Sequence, residues 1–131
     1  MNLFRAFSLL FGFGRVEPFA GDRVDLLKSG MAEAERALGL RNKAKQVRLK
    51  LVPGKIHRGG ERWGIIDIWG REVGGLCEPK GGNKFKLTVV CPPDTMLPAM
   101  NRLVHECGHV LLFGFNVPVD HHESWLREKG L

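Results

Sequence analysis

The stretch His105-Glu106-Cys107-Gly108-His109 places two imidazoles four residues apart, with a carboxylate directly after the first. On a helix, residues i and i+4 share a face, so both rings can reach one metal ion while the glutamate stands beside it. Zinc suits that pair. It takes imidazole nitrogens at about 2.0–2.1 Å, and its catalytic sites use three protein ligands and keep a fourth position for water. The ion lowers the pKa of its water towards about 7, and a neighbouring carboxylate can take that proton and pass it to a leaving group. His105 and His109 are therefore expected as ligands, and Glu106 as the base. Four of the 5 histidines lie between His105 and His122, and the pair falls within an apolar run where unpartnered imidazoles would be costly.

The elements that must hold this stretch can be read from periodicity. Leu3, Phe7, Leu10 and Phe11 share a helical face, so residues 1–19 read as an apolar N-terminal helix or arm packing on the domain. Asp22 is the expected cap of a helix over 22–45, with Val24, Leu27, Met31, Ala34 and Leu38 at helical spacing and Gly30 and Gly39 weakening it. The period then changes to two. Strands are expected over 47–51, 63–69 and 72–77, with a tight turn at Gly70-Arg71, and over 84–91, where Phe85, Leu87 and Val89 share a face. Asp94 or Thr95 is the expected cap of the motif helix, with Pro98 tolerated in its first turn and Gly114 at its end. Met100, Leu103, Val104, Cys107 and Leu111 should bury one side of it. Cys107 lies roughly 200° around from His105, so it reads as core and not as a ligand.

At 131 residues the chain fits one domain, 1–131, able to bury a core without staples. Its 3 cysteines, Cys77, Cys91 and Cys107, form no C-x-x-C pair, which argues against a disulfide framework or zinc ribbon and for a reducing, cytoplasmic setting. The apolar start is too short and too Gly-interrupted to span a bilayer, and a poor signal peptide. Charge is uneven: residues 1–62 carry 13 Lys+Arg against 6 Asp+Glu, and residues 63–131 carry 7 against 8. Seven basic residues and no acid lie between Arg41 and Arg58, an electrostatic footprint for nucleic acid or the outer face of a half-buried strand.

The motif helix, the strand before it and the downstream His121-His122-Glu123-Ser124-Trp125 resemble the minimal zincin metallopeptidases, and most closely the SprT-like group. That group's third ligand is a histidine four residues before an aromatic, and here His121 stands four before Trp125. The resemblance covers roughly the last 45 residues. It implies a small α+β fold with N-terminal helices, a three- to four-stranded mostly antiparallel sheet, the motif helix and a short C-terminal helix. It also implies three histidine ligands, a glutamate base, a protein substrate and contact with nucleic acid. The chain departs from the pattern where His122-Glu123 replaces a small residue and proline, and no zinc ribbon is expected after the motif.

His121, His122 and Glu123 are consecutive, and any of them can close the triad; the aromatic spacing favours His121. The chain has no tyrosine, so His122 or Arg102 is left as donor to the oxyanion of peptide hydrolysis. Asp120 reads as a solvated acid. The expectation is a monomeric zinc-dependent metallopeptidase in which Glu106 activates a zinc-held water and the substrate strand adds along the 84–91 edge. The alternative is a non-catalytic zincin-like domain acting as a basic nucleic-acid or partner adaptor.

Overall fold

The computed structural model describes residues 20–56, 62–63, 65–66, 72–92 and 95–131. The expected helix over 1–19, Asp94 and the turn at Gly70-Arg71 lie outside them. The order is α1 (Ala20–Leu38), β1 (Gln46–Pro53), β2 (Lys55–Ile56), β3 (Arg62–Trp63), β4 (Ile65–Ile66), β5 (Glu72–Val73), β6 (Gly75–Pro79), β7 (Lys84–Cys91), α2 (Met100–Gly114), a 3-10 turn over Val119–His121, and α3 (His122–Glu128). The class is α+β, as expected.

Helix α1 starts at Ala20, so Asp22 lies in its first turn and does not cap it. It ends at Leu38 and not near 45, because Gly39 takes a left-handed φ of 69° and donates back to the Glu35 carbonyl at 2.8 Å. Met31, Ala34 and Leu38 are buried, while Val24 is 49% exposed. Gly30 has a packing role. A Cβ there would stand 2.9 Å from Leu103 Cγ and 3.4 Å from Cys107 Sγ, so α1 and α2 meet where one of them has no side chain.

The main sheet has the order β1-β7-β6. β1 runs parallel to β7, from Gln46↔Lys84 to Pro53↔Cys91, and β6 runs antiparallel to it, from Gly75↔Val89 to Pro79↔Phe85. The sheet is therefore mixed, and not mostly antiparallel. Two antiparallel two-residue ladders, β2–β3 and β4–β5, receive parts of the strand expected over 63–69, and the strand expected over 72–77 divides at Gly74 into β5 and β6. β7 is the central strand. Both its edges already carry hydrogen bonds, so the expected addition of a substrate strand along 84–91 is ruled out. Its burial fits that place, since Phe85, Leu87, Thr88, Val89 and Cys91 are all inside.

The pleat sends Val47, Leu49 and Leu51 of β1 and Phe85, Leu87 and Val89 of β7 to one face, where α1 and α2 cover them. Leu103, Val104, Cys107 and Leu111 supply the α2 side of this core as expected, whereas Met100 is 41% exposed. α2 begins after Ala99 with no side-chain cap. The Thr95 hydroxyl instead accepts from the Leu97 N–H at 2.8 Å in the preceding turn, and Pro98 lies ahead of the helix. Gly114 is its last residue, but the left-handed position is Asn116, with φ 58°. Val117 N–H donates to the Leu112 carbonyl and Asn116 N–H to the Phe113 carbonyl, both at 3.0 Å. These two bonds make a Schellman end that fixes Val117 against the helix. No helix of the described residues is long and apolar enough to cross a membrane.

Candidate metal centre

α2 carries His105 and His109 on one face, one turn apart, with ring centroids 5.0 Å from each other. α3 packs across it because Gly108 has no side chain: a Cβ there would stand 2.6 Å from Leu126 Cδ2. Leu126, fully buried, anchors α3 on that spot and sets the first residues of α3 beside the two imidazoles. Glu123 is the one that arrives. Its Oε2 lies 3.2 Å from His105 Nε2 and 2.9 Å from His109 Nε2. His105, His109 and Glu123 form a group that could hold a metal ion.

The hydrogen bonds behind these rings fix their tautomers. A carbonyl can only accept, so His122 Nε2 must donate to the Val117 oxygen, 2.8 Å away. Neutral His122 then offers Nδ1 as an acceptor, and His109 Nδ1, 2.9 Å from it, must be the donor. By the same reasoning His105 Nδ1 donates to the Leu131 main-chain oxygen at 2.9 Å. Both Nε2 atoms are left with lone pairs facing the Glu123 carboxylate. Burial lowers His109 to about 4, against the pull of Glu123, so that ring stays neutral near pH 7. On neutral rings three acceptor atoms converge there, an arrangement that a cation relieves. The spacing fits as well. Ligands about 2.05 Å from a tetrahedral zinc stand roughly 3.3 Å apart, close to the 3.2 and 2.9 Å seen here.

Glu106 is 3% exposed and lies against β6, where a Cβ on Gly75 would stand 2.8 Å from its Oε2. Burial lifts its carboxyl to about 7, opposed by His105 and Arg102. A cation beside it would draw it back down. For Glu123, burial raises the carboxyl, but the adjoining His105 and His109 rings outweigh that and the net direction is down. Burial pushes the Cys107 thiol up to about 12 and Cys77 higher still, so neither is a thiolate at neutral pH.

The structure gathers His105, Glu106 and His109 as the sequence implies, but not His121. Its side chain is 66% exposed, its Nε2 faces Asp120 at 3.8 Å, and Trp125 beside it on α3 is 37% exposed. The residue that packs on α2 is Leu126, and this turns Glu123 inward and His121 outward. Nor is His122 placed to meet a substrate oxygen. It is fully buried between His109 and Phe113, at centroid distances of 5.1 and 4.6 Å, with both nitrogens engaged. Its role is to orient His109. The only sequence signal for Glu123 was an acid among the three consecutive candidates; nothing in the sequence marked Val117 or Leu131 as acceptors. No protein-family model, curated protein or solved structure matches this chain.

Proposed function

We propose that this chain is a zinc-dependent metallopeptidase of zincin type, hydrolysing peptide bonds in protein substrates, with His105, His109 and Glu123 as ligands and Glu106 as base. The observation that carries this reading is the convergence of two tautomer-fixed Nε2 atoms and one carboxylate beside a buried glutamate. Two histidines and a glutamate are a known catalytic donor set for zinc. That set departs from the three histidines that the SprT-like resemblance implies, so the proposal keeps the zincin class and leaves the narrower group aside. When bound, zinc supplies a Lewis acid that acidifies water and polarises a carbonyl.

The chain's own residues do the rest. Glu106 accepts the water's proton and returns it to the leaving amine. Gly75 lets that carboxylate lie against the sheet. Arg102, whose guanidinium would meet a Cβ on Gly74 at 2.7 Å, is the cation on the same side and serves as donor to the developing oxyanion. Among the described residues β6 pairs only with β7, so the strand beside Glu106 keeps one edge for an extended peptide.

A non-catalytic zinc module is the competing reading. The separating test measures zinc content and cleavage of an unstructured protein in wild type and Glu106→Gln. The expected result is equal zinc and loss of nearly all cleavage in the variant. Full activity in the variant would remove Glu106 from the mechanism; zinc binding with no cleavage by either protein would favour the binding module.

A further inference from the structure

α2 and α3 end in the same way. Asn116, with φ 58°, and Gly130, with φ 78°, are the left-handed residues just past the two helices. The Gly130 N–H donates to the Arg127 carbonyl at 3.0 Å and the Leu131 N–H to the Leu126 carbonyl at 2.8 Å. α3 thus repeats the two-bond closure that Asn116 and Val117 make on α2. In each case the residue after the left-handed one is apolar and packs against the core, Val117 in one and Leu131 in the other. A Cβ on Gly108 would stand 3.6 Å from Leu131 Cδ1, beside the Leu126 methyl that docks there.

The main-chain oxygens of these two residues are the ones that reach the centre. The Leu131 oxygen accepts from His105 Nδ1 at 2.9 Å. The Val117 oxygen accepts from His122 Nε2 at 2.8 Å, and His122 Nδ1 in turn accepts from His109 Nδ1 at 2.9 Å. The left-handed turn fixes where the following residue lies, and with it the oxygen that the ring meets. A right-handed or extended residue at 116 or 130 would send the chain elsewhere and carry the acceptor away. α1 supplies the contrast. Gly39, with φ 69°, closes that helix by a single bond to the Glu35 carbonyl at 2.8 Å, and both Nδ1 groups find their acceptors elsewhere.

We infer that Asn116 and Gly130 are positioning residues for the metal: each holds one ligand ring in the tautomer that offers Nε2, through the helix end that it closes. The inference rests on the metal reading above and adds to it two residues that touch neither the ion nor a substrate. A Cβ on Gly130 meets nothing within 4 Å, so a substitution there acts through the backbone alone. Asparagine is among the few other residues that take the left-handed region readily, and it stands at the equivalent place on α2. The coupling runs both ways: an ion that binds better when both ends are closed draws them into that form.

The test is zinc affinity by competition against a chromophoric chelator, with the His105 and His109 tautomers read in the metal-free protein by long-range nitrogen–proton NMR. Valine resists the left-handed region, so Gly130→Val and Asn116→Val should each lower zinc affinity by about 10–100-fold. Each should also release the ring it serves to a mixture of tautomers, His105 in the first and His109, through His122, in the second. Gly130→Asn and Asn116→Gly keep the conformation and should stay within about threefold of wild type. Gly39→Val makes the same backbone change on α1, where a Cβ again meets nothing within 4 Å; it should cost stability in urea and leave zinc affinity within about threefold. Where a valine variant does not fold, alanine at the same position takes its place. Equal loss from valine and asparagine at 130, a loss at Gly39→Val as large as at Gly130→Val, or unchanged tautomers in both valine variants would each overturn the inference. A wild-type chain that binds no zinc would overturn the metal reading instead, and the tautomers of the metal-free protein would still decide whether these helix ends position the rings.

Discussion

His122→Phe isolates the part of the centre that holds a ligand without touching the metal. A phenyl ring fills the slot between His109 and Phe113, but it removes the acceptor for His109 Nδ1 and the donor to the Val117 oxygen. Leaving a buried polar group unpaired costs about 1–3 kcal/mol. Both orphaned groups keep some access to water, so the apo fold should lose about 2–3 kcal/mol in all. Zinc should suffer separately. With its proton no longer held on Nδ1, His109 can present N–H to the ion, and loss of such an orienting partner typically costs 10–100-fold in metal affinity, about 1.4–2.7 kcal/mol. The assay is competition against a chromophoric chelator, with urea unfolding at zero and fixed excess zinc. The stabilisation zinc confers should shrink by the same 1.4–2.7 kcal/mol. A variant that loses fold stability but binds zinc within twofold of wild type would refute the orienting role and leave His122 as packing alone.

The other expectations follow from single contacts. Glu123→Ala should lose most bound zinc by elemental analysis, whereas His121→Ala, whose side chain is 66% exposed, should keep it; the reverse would restore His121 as ligand. Gly75→Ala puts a Cβ 2.8 Å from Glu106 Oε2 and should cut kcat by up to about 10²-fold with zinc retained, read by steady-state proteolysis beside zinc analysis. Gly30→Ala, meeting Leu103 Cγ at 2.9 Å, should cost about 1–3 kcal/mol in urea unfolding and leave zinc affinity unchanged.

Local pattern made some of this legible. Alternation in Phe85, Leu87 and Val89 located β7 to the residue, and helical spacing put His105 and His109 on one face. The direction of β1 was not legible, because alternation is the same in parallel and antiparallel pairs. The third donor was hidden for a related reason. Residues 121–123 lie where a 3-10 turn passes into α3, and each step rotates the next side chain by about 100–120°. Which of them faces α2 is decided by Leu126 docking on Gly108, a contact between elements. Gly30 and Gly39 both read as weak points of one helix. One is a close approach and the other a stop, and only the tertiary arrangement tells them apart.

The parallel partnership of β1 and β7 also bears on the order of assembly. Glu123 and His109 meet across 14 residues, but the Asn83 amide reaches the Lys43 carbonyl at the sheet's edge across 40. Closing the longer loop costs about 1 kcal/mol more, so the helical half that carries the donors gains its contacts first. A chain emerging from synthesis meets the opposite order. β1 is made early, and its apolar side, Val47, Leu49 and Leu51, has neither β7 nor α2 to cover it until the later residues appear. In that interval only α1 stands ready to cover the unpaired strand, and any aggregation of the nascent chain would start there.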